Sequence, residues 1–282
     1  MNPKYDADAF GSRFGPWAVI AGGSDGIGRA FAEELASRGL RLLLVARDAG
    51  KLAATAERLR DDFGTEVRTL SLDLTGASLV AGMEESIQGL DVGLFIYNAG
   101  SGRKMGPFLD SDAEHWMQQV DLSCRGPLLL AHLFGKRLCA RGRGGMIIMS
   151  SLSSLCGSAF TTTYAASKAF DTILAEGLWQ EFGPRGVDVV GCLAGSTDTE
   201  TFREDTGGSP DAMDPRDVAQ ETLAFLGRGP TFVPGAKNRA GAAAMWPTPR
   251  IPLIQALTRA NAANFDLPFD SLEGDEFAEV DR

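Results

Sequence analysis

The chain has 282 residues, with 27 Lys and Arg against 37 Asp and Glu, a net charge of −10 with both histidines neutral, and 44% of it is hydrophobic. That is enough length and apolar material for one sizeable α/β core, which excludes a chain disordered throughout; the acidic balance offers no basic footprint for a nucleic-acid backbone. Glycine, at 34 residues or about 12% against a usual ~7%, is in excess, mostly in turn contexts where backbone must approach something closely.

The opening MNPKYDADAF is acidic and lacks an apolar run, so it does not read as a secretory signal. LRLLLVA and PLLLAHLF are far shorter than the ~20 residues that span a bilayer, so no transmembrane segment is expected and the cytoplasm is the expected location. Cys124, Cys139, Cys156 and Cys192 include no CxxC pair, and His115 and His132 stand apart. Neither a disulfide framework nor a metal site is expected.

Residues 1–13 read as an N-terminal extension. From Phe14 on, WAVIAG, LRLLLVA, EVRTLSL, VGLFIYN, GMIIMSS and VDVVGCL read as strands, each short, apolar and bounded by turn or polar residues. Helical periodicity lies between them: Ile27, Ala30, Phe31, Glu34 and Leu35 recur at three- and four-residue steps, as do Leu52, Ala56 and Leu59. Apolar strands separated by helices predict a doubly wound parallel sheet of Rossmann type in a single domain over 14–235. Residues 236–282 form a C-terminal extension in which a helix is expected from Leu253 to Asn264, followed by an acidic, solvated tail from about Ser271.

Directly after the first predicted strand comes AGGSDGIG, with helical periodicity behind it. Strand, glycine turn and helix in that order supply what a pyrophosphate needs: bare backbone amides, no Cβ in the way, and a helix N-terminus with partial positive charge. Here the chain resembles the short-chain dehydrogenase/reductase family, whose TGxxxGxG turn reads Ala21, Gly22, Gly23, Ser24, Asp25, Gly26, Ile27, Gly28. Ala21 lacks the hydroxyl of the usual threonine, so some loosening of the turn is expected.

In such folds a carboxylate ending the second strand accepts hydrogen bonds from the adenosine ribose of NAD. Ala46 holds that place here and Arg47 follows, which favours the 2′-phosphate of NADP(H), with NAD(H) as second choice; Ser24 can add a hydroxyl contact. The alternative is that Arg47 pairs with Asp48 or lies in solvent. The resemblance extends to Asp73 and Leu74 beside the adenine and to Asn98-Ala99-Gly100, the last three residues of the family's NNAG, with Tyr97 replacing its first asparagine. Asp73 or Asn98 could instead cap a helix or tie strands together.

Tyr164 and Lys168 stand four residues apart, on one face if helical. A phenol with an ordinary pKa of about 10 is a poor proton shuttle at neutral pH, and an adjacent ammonium favours its phenolate. Ser151, thirteen residues before Tyr164, has the spacing of the family's active-site serine, whereas Ser150 does not. The resemblance assigns Tyr164 as acid/base, Ser151 as the group that holds the substrate oxygen, and Lys168 as the partner of both tyrosine and nicotinamide ribose. The family's asparagine seven residues after a tryptophan is replaced by Ser123, expected to fill a proton-relay role, and its PGxxxT segment reads Ala194, Gly195, Ser196, Thr197, Asp198, Thr199, with Thr197 and Thr199 near nicotinamide and phosphates.

These residues predict an oxidoreductase that moves hydride between NADP(H) and an apolar carbonyl or secondary alcohol, ketone, acyl or steroid-like, whose pocket Met105, Phe108, Phe202, Met213, Met245 and Trp246 could line. A homodimer or homotetramer is implied by the resemblance. The alternatives are a non-catalytic dinucleotide sensor, motivated by Ala21, Ser123 and Ala194, or an interaction protein on the same fold.

Overall fold

The computed structural model describes residues 4–100 and 105–268. In chain order its elements are α1 (Ala7–Phe14), β1 (Trp17–Ala21), α2 (Gly26–Ser37), β2 (Arg41–Ala46), α3 (Ala49–Phe63), β3 (Val67–Ser71), α4 (Leu79–Ser86) and β4 (Val92–Tyr97). There follow α5 (Ala113–Val120), α6 (Gly126–Arg141), β5 (Gly144–Ser151), α7 (Thr162–Phe182), β6 (Val187–Ala194), α8 (Glu200–Thr206), α9 (Pro215–Phe225), β7 (Thr231–Phe232), α10 (Ala236–Met245) and α11 (Arg250–Phe265). Local chemistry sets many of the boundaries. Asp25, Asp48 and Asp112 each accept a backbone N–H at a helix start, and Gly64 and Gly142 end α3 and α6 in left-handed conformation.

The strands form one seven-stranded parallel sheet in the order β3-β2-β1-β4-β5-β6-β7. Strand alternation divides the core between the two faces. Ala18, Ile20, Leu42 and Leu44 meet Phe31, Leu35, Leu52, Leu59, Val218 and Leu223 on the side of α2, α3 and α9. Val19, Leu43, Val45 and Phe95 meet Leu79, Met83, Leu130, Phe134 and Leu138 on the side of α4 and α6. A sheet buried on both faces forces its crossovers through helices, the doubly wound arrangement that the apolar pattern predicts. The six predicted strands are β1 to β6; β7 has only two residues, too few to carry a period.

The first residues do more than extend the chain. Asp6 caps α1, whose Phe10 and Phe14 are buried in the core at an i, i+4 spacing, each burial worth about 1.5–3 kcal/mol. Arg13 Nε donates to Asp188 Oδ2 at 2.6 Å, tying α1 to the start of β6. At the other end, α11 covers the expected Leu253–Asn264 helix, while α10 lies in a stretch whose sequence suggested no element. The acidic tail from Ser271 lies outside the described residues. Among the described residues no helix is long and apolar enough to cross a membrane.

Candidate active site

The strand order reverses between β1 and β4, and the cleft at the carboxyl ends of these strands is where open α/β sheets bind ligands. The glycine turn joins β1 to α2 there. A Cβ on Gly28 would stand 1.9 Å from Gly22 O, and one on Gly22, which has φ 83°, would stand 2.7 Å from Ala99 N, so neither position admits a side chain. The loosening expected from Ala21 is opposed by a brace: Asn98 Nδ2 donates to Gly22 O at 2.9 Å, and the Ala99 amide donates to Ala21 O. Asn98 therefore ties the end of β4 to the glycine turn. Asp25 Oδ1 accepts from Gly26 N at 2.6 Å, and Lys51 reaches both Asp25 and Glu200, at 3.4 and 2.7 Å. Burial opposes the charge on Asp25, but the Gly26 amide and Lys51 outweigh it and hold the carboxyl below its usual range.

Arg47 is exposed and forms no ion pair among the described residues, because Asp48 accepts from Lys51 N as the cap of α3. Its charge acts on the Asp73 carboxylate, which it helps to lower. Asp73 Oδ1 accepts from both the amide and the hydroxyl of Thr75, which hold its carboxyl below the ordinary value. Leu74 beside it is buried.

Gly22, Ser24, Asp25, Gly26, Ile27, Asn98, Ala99, Gly100, Ser151, Tyr164, Lys168, Thr197 and Thr199 all line one cleft of about 550 Å³. Arg47, Asp73 and Leu74 lie outside its lining, and so do Gly28, which acts from beneath the turn, and Ser123, which is fully buried. Ser151 ends β5, and its hydroxyl accepts from Ser153 N at 3.2 Å. Ser150 also borders the cleft, but its hydroxyl is engaged with Lys168 O and Thr172 Oγ1 at 2.7 Å each. On α7 the Lys168 ammonium donates to Met149 O at 2.8 Å and to Asp171 Oδ2 at 2.9 Å. Burial opposes its charge, but the Asp171 carboxylate and the Tyr164 oxygen outweigh burial and raise the lysine above its ordinary value.

Ser123 sits in a single π-helical turn, Asp121–Arg125, between α5 and α6. Tyr97, which replaces an asparagine of the family pattern, donates from its hydroxyl to Leu122 O at 2.5 Å and so pins that turn to β4. Thr199 Oγ1 caps α8 by accepting from Phe202 N, and Thr197 Oγ1 donates to Gly195 O. The missing proline before Gly195 is offset from the C-terminal side: Asn238 of α10 packs where a Gly195 Cβ would stand 2.7 Å away, and donates to Pro234 O.

The substrate side differs in part from expectation. Met105 and Phe202 line the cleft. Trp246 does not, since the turn after α10 leaves it 88% exposed, and Phe108 stacks on Trp116 with ring centroids 5.5 Å apart. Met213 packs beneath Gly235 and accepts from Asn238 Nδ2, and Met245 is also outside the lining. In the segment 102–108, Gly102, Arg103 and Lys104 lie outside the described residues. The wall is completed instead by Asn261, Asn264 and Phe265 of α11. Asn261 Nδ2 donates to Ser158 Oγ at 2.9 Å, and Thr258 Oγ1 accepts from Ala159 N at 3.0 Å, fastening α11 to the loop just before Tyr164. Phe160 in that loop has φ 68°, a left-handed conformation costly for a bulky residue and held by these contacts.

The model of the short chain dehydrogenase family matches residues 16–208, and the chain belongs to that family of oxidoreductases. A 7beta-hydroxysteroid dehydrogenase of Clostridium sardiniense is 32% identical over 234 residues, covering 82% of this chain and 89% of that protein. A very-long-chain 3-oxoacyl-CoA reductase of Podospora anserina is 36% identical over 179 residues, 62% of this chain; the match spans 53% of the reductase's length. Among solved structures, a bulky-bulky ketone specific alcohol dehydrogenase from Comamonas testosteroni aligns with TM-score 0.71 at 30% identity, covering 83% of this chain and 94% of that one. A short-chain dehydrogenase from Sphingobium yanoikuyae in complex with NADPH aligns with TM-score 0.74 at 29% identity, covering 92% of this chain and 98% of that one.

Proposed function

We propose that this protein catalyses reversible, NADP(H)-dependent reduction of a bulky apolar ketone to a secondary alcohol. The observation that carries this reading is that Ser151, Tyr164 and Lys168 open onto the same cleft as the glycine turn, with Met105, Phe202 and Phe265 lining it too. The turn suits a dinucleotide because its glycines let the backbone pack against Ala99, Thr199 and itself where a Cβ would collide, which brings the N-terminus of α2 to the edge of the cleft. When bound, the nicotinamide supplies or takes the hydride.

The chain's own residues do the rest. Ser151 Oγ donates to the substrate oxygen and fixes the carbonyl, while Tyr164 gives that oxygen its proton in reduction and takes it back in oxidation. Lys168 keeps a positive charge behind the tyrosine and holds the ribose hydroxyls. Arg47, unpaired at the end of β2, grips the 2′-phosphate with Ser24 alongside. The relatives support this substrate class, since three of them are named for a hydroxysteroid, a long 3-oxoacyl chain and bulky ketones. Self-association would use the outer face of α6 and α7, where Leu128 is 46% and Ile173 66% exposed.

Titration with NADPH and NADH, followed by cofactor fluorescence at fixed salt, tests the cofactor assignment. Tighter binding of NADPH is expected, and Arg47→Ala is expected to lower that preference by about tenfold, the loss of one charge-assisted contact. An unchanged ratio would refute the role of Arg47.

A further inference from the structure

Lys168 is 4% exposed, and its ammonium is bonded on two sides by the protein itself, at Met149 O and at Asp171 Oδ2. Asp171 is fully buried, three residues further along α7, so Tyr164, Lys168 and Asp171 form one stripe of the helix. A carboxylate placed without exposure to water costs several kcal/mol unless it is paired and hydrogen-bonded. Here one oxygen is paired and the other, Asp171 Oδ1, has no hydrogen-bond partner among the described residues. A second buried polar atom is in the same condition: Ser123 Oγ, where the family pattern has asparagine. Both belong to one neighbourhood, for a Cβ on Gly100 would stand 3.0 Å from Lys168 Nζ and 3.8 Å from Ser123 Oγ.

We propose that Asp171 is a positioning residue for the hydride-transfer reaction: its buried carboxylate, 2.9 Å from the ammonium, fixes the place and the charge of Lys168. The proposal rests on the oxidoreductase reading above. The other groups facing the pair do not compete for the role. Tyr97 on β4 is pushed up by burial and by the Asp171 charge, and its hydroxyl is engaged with Leu122 O. Burial pushes Cys124 up to about 11 and Cys192, on β6, up to about 12, so both thiols are neutral at working pH. Tyr164 is the remaining group, and it faces Lys168 from the cleft side.

The sign of the effect follows from the charges. With Asp171 present, the ammonium persists to high pH. With the carboxylate neutralised, the largest opposition to burial is gone and the lysine loses its proton at lower pH. Asp171→Asn keeps shape and removes charge. With NADPH and a 7-oxosteroid as probes, it is expected to lower kcat by roughly tenfold and to move the alkaline limb of the kcat profile down by about one pH unit or more, with the KM for NADPH changed far less.

A readout independent of turnover is the melting midpoint of the cofactor-free protein. The raised lysine contributes at neutral pH and loses that contribution only as pH rises through its folded-state value; burial raises Asp171 as well, a cost that is constant above its own folded-state value, so the alkaline change belongs to the lysine. In Asp171→Asn the lysine's folded-state value is lower than in the wild type. The midpoint deficit should therefore be largest at neutral pH, on the order of 10 °C, and shrink as pH rises. A uniform loss of kcat with no shift of the alkaline limb would overturn the proposal in favour of a purely structural Asp171, and wild-type behaviour in every measurement would overturn it outright. Failure of the wild type itself to bind NADPH would instead count against the oxidoreductase reading, leaving the melting comparison to decide whether Asp171 governs the charge of Lys168.

Discussion

The two walls of the cleft are made of different material. On the β1 to α2 side, the surface follows the backbone of Gly22, Gly26 and Ala99, and the fit depends on side chains being absent at Gly22, Gly26 and Gly28. On the far side it is side chains, with Asn261, Asn264 and Phe265 of α11 closing over the loop that leads into Tyr164, and Asn238 of α10 wedged against Gly195. A wall of backbone tolerates almost no substitution but binds any ligand with the same phosphates. A wall of side chains tolerates substitution and thereby selects the substrate. The comparison teaches where this chain can vary: the cofactor side is held by steric necessity, the substrate side by a few polar contacts to a C-terminal extension.

That difference can be broken deliberately, and the largest effect should come from the backbone wall. Gly28→Ala drives a Cβ onto Gly22 O and against Asn98 Nδ2, 2.6 Å away, so the turn must open; about 1–3 kcal/mol of stability and measurable NADPH binding should both be lost, as read by melting and by fluorescence titration. Next comes the latch of the substrate wall. Asn261→Ala removes the donor to Ser158 Oγ, Ala159 O and Thr161 Oγ1, and is expected to raise KM for a bulky ketone several-fold, a loss of about 1 kcal/mol, while KM for NADPH stays as it was. Equal rises in both constants would show that α11 acts on the whole cleft. The smallest effect belongs to Trp246→Ala: a side chain this exposed should change stability and KM by less than ~0.5 kcal/mol.

The same contrast explains what could be read from the chain before its structure. Strands β1 to β6, the doubly wound sheet and the glycine turn were legible because each depends on local pattern: short apolar runs, and glycines at positions where a side chain collides. The cleft residues Ser151, Tyr164 and Lys168 were legible because their spacing along one strand end and one helix is fixed. Asn238, Asn261 and Phe265 were not, since nothing local says that α10 and α11 return to the site; the apolar Trp246 misled for the same reason. Asp171 had a signal that passed unused, one more helical step beyond Lys168 on the stripe begun by Tyr164. Helix α1 had one too, an aspartate cap followed by Phe10 and Phe14 four residues apart.

The central claim, that this cleft reduces bulky ketones with NADPH through Tyr164, is tested most directly by following NADPH consumption with a 7-oxosteroid and a diaryl ketone, comparing wild type with Tyr164→Phe. The account predicts turnover by the wild type and a loss of about 10²- to 10⁴-fold in the variant, with NADPH binding unchanged. Equal rates in the two proteins, or a wild type that binds NADPH and consumes none with either ketone, would contradict it.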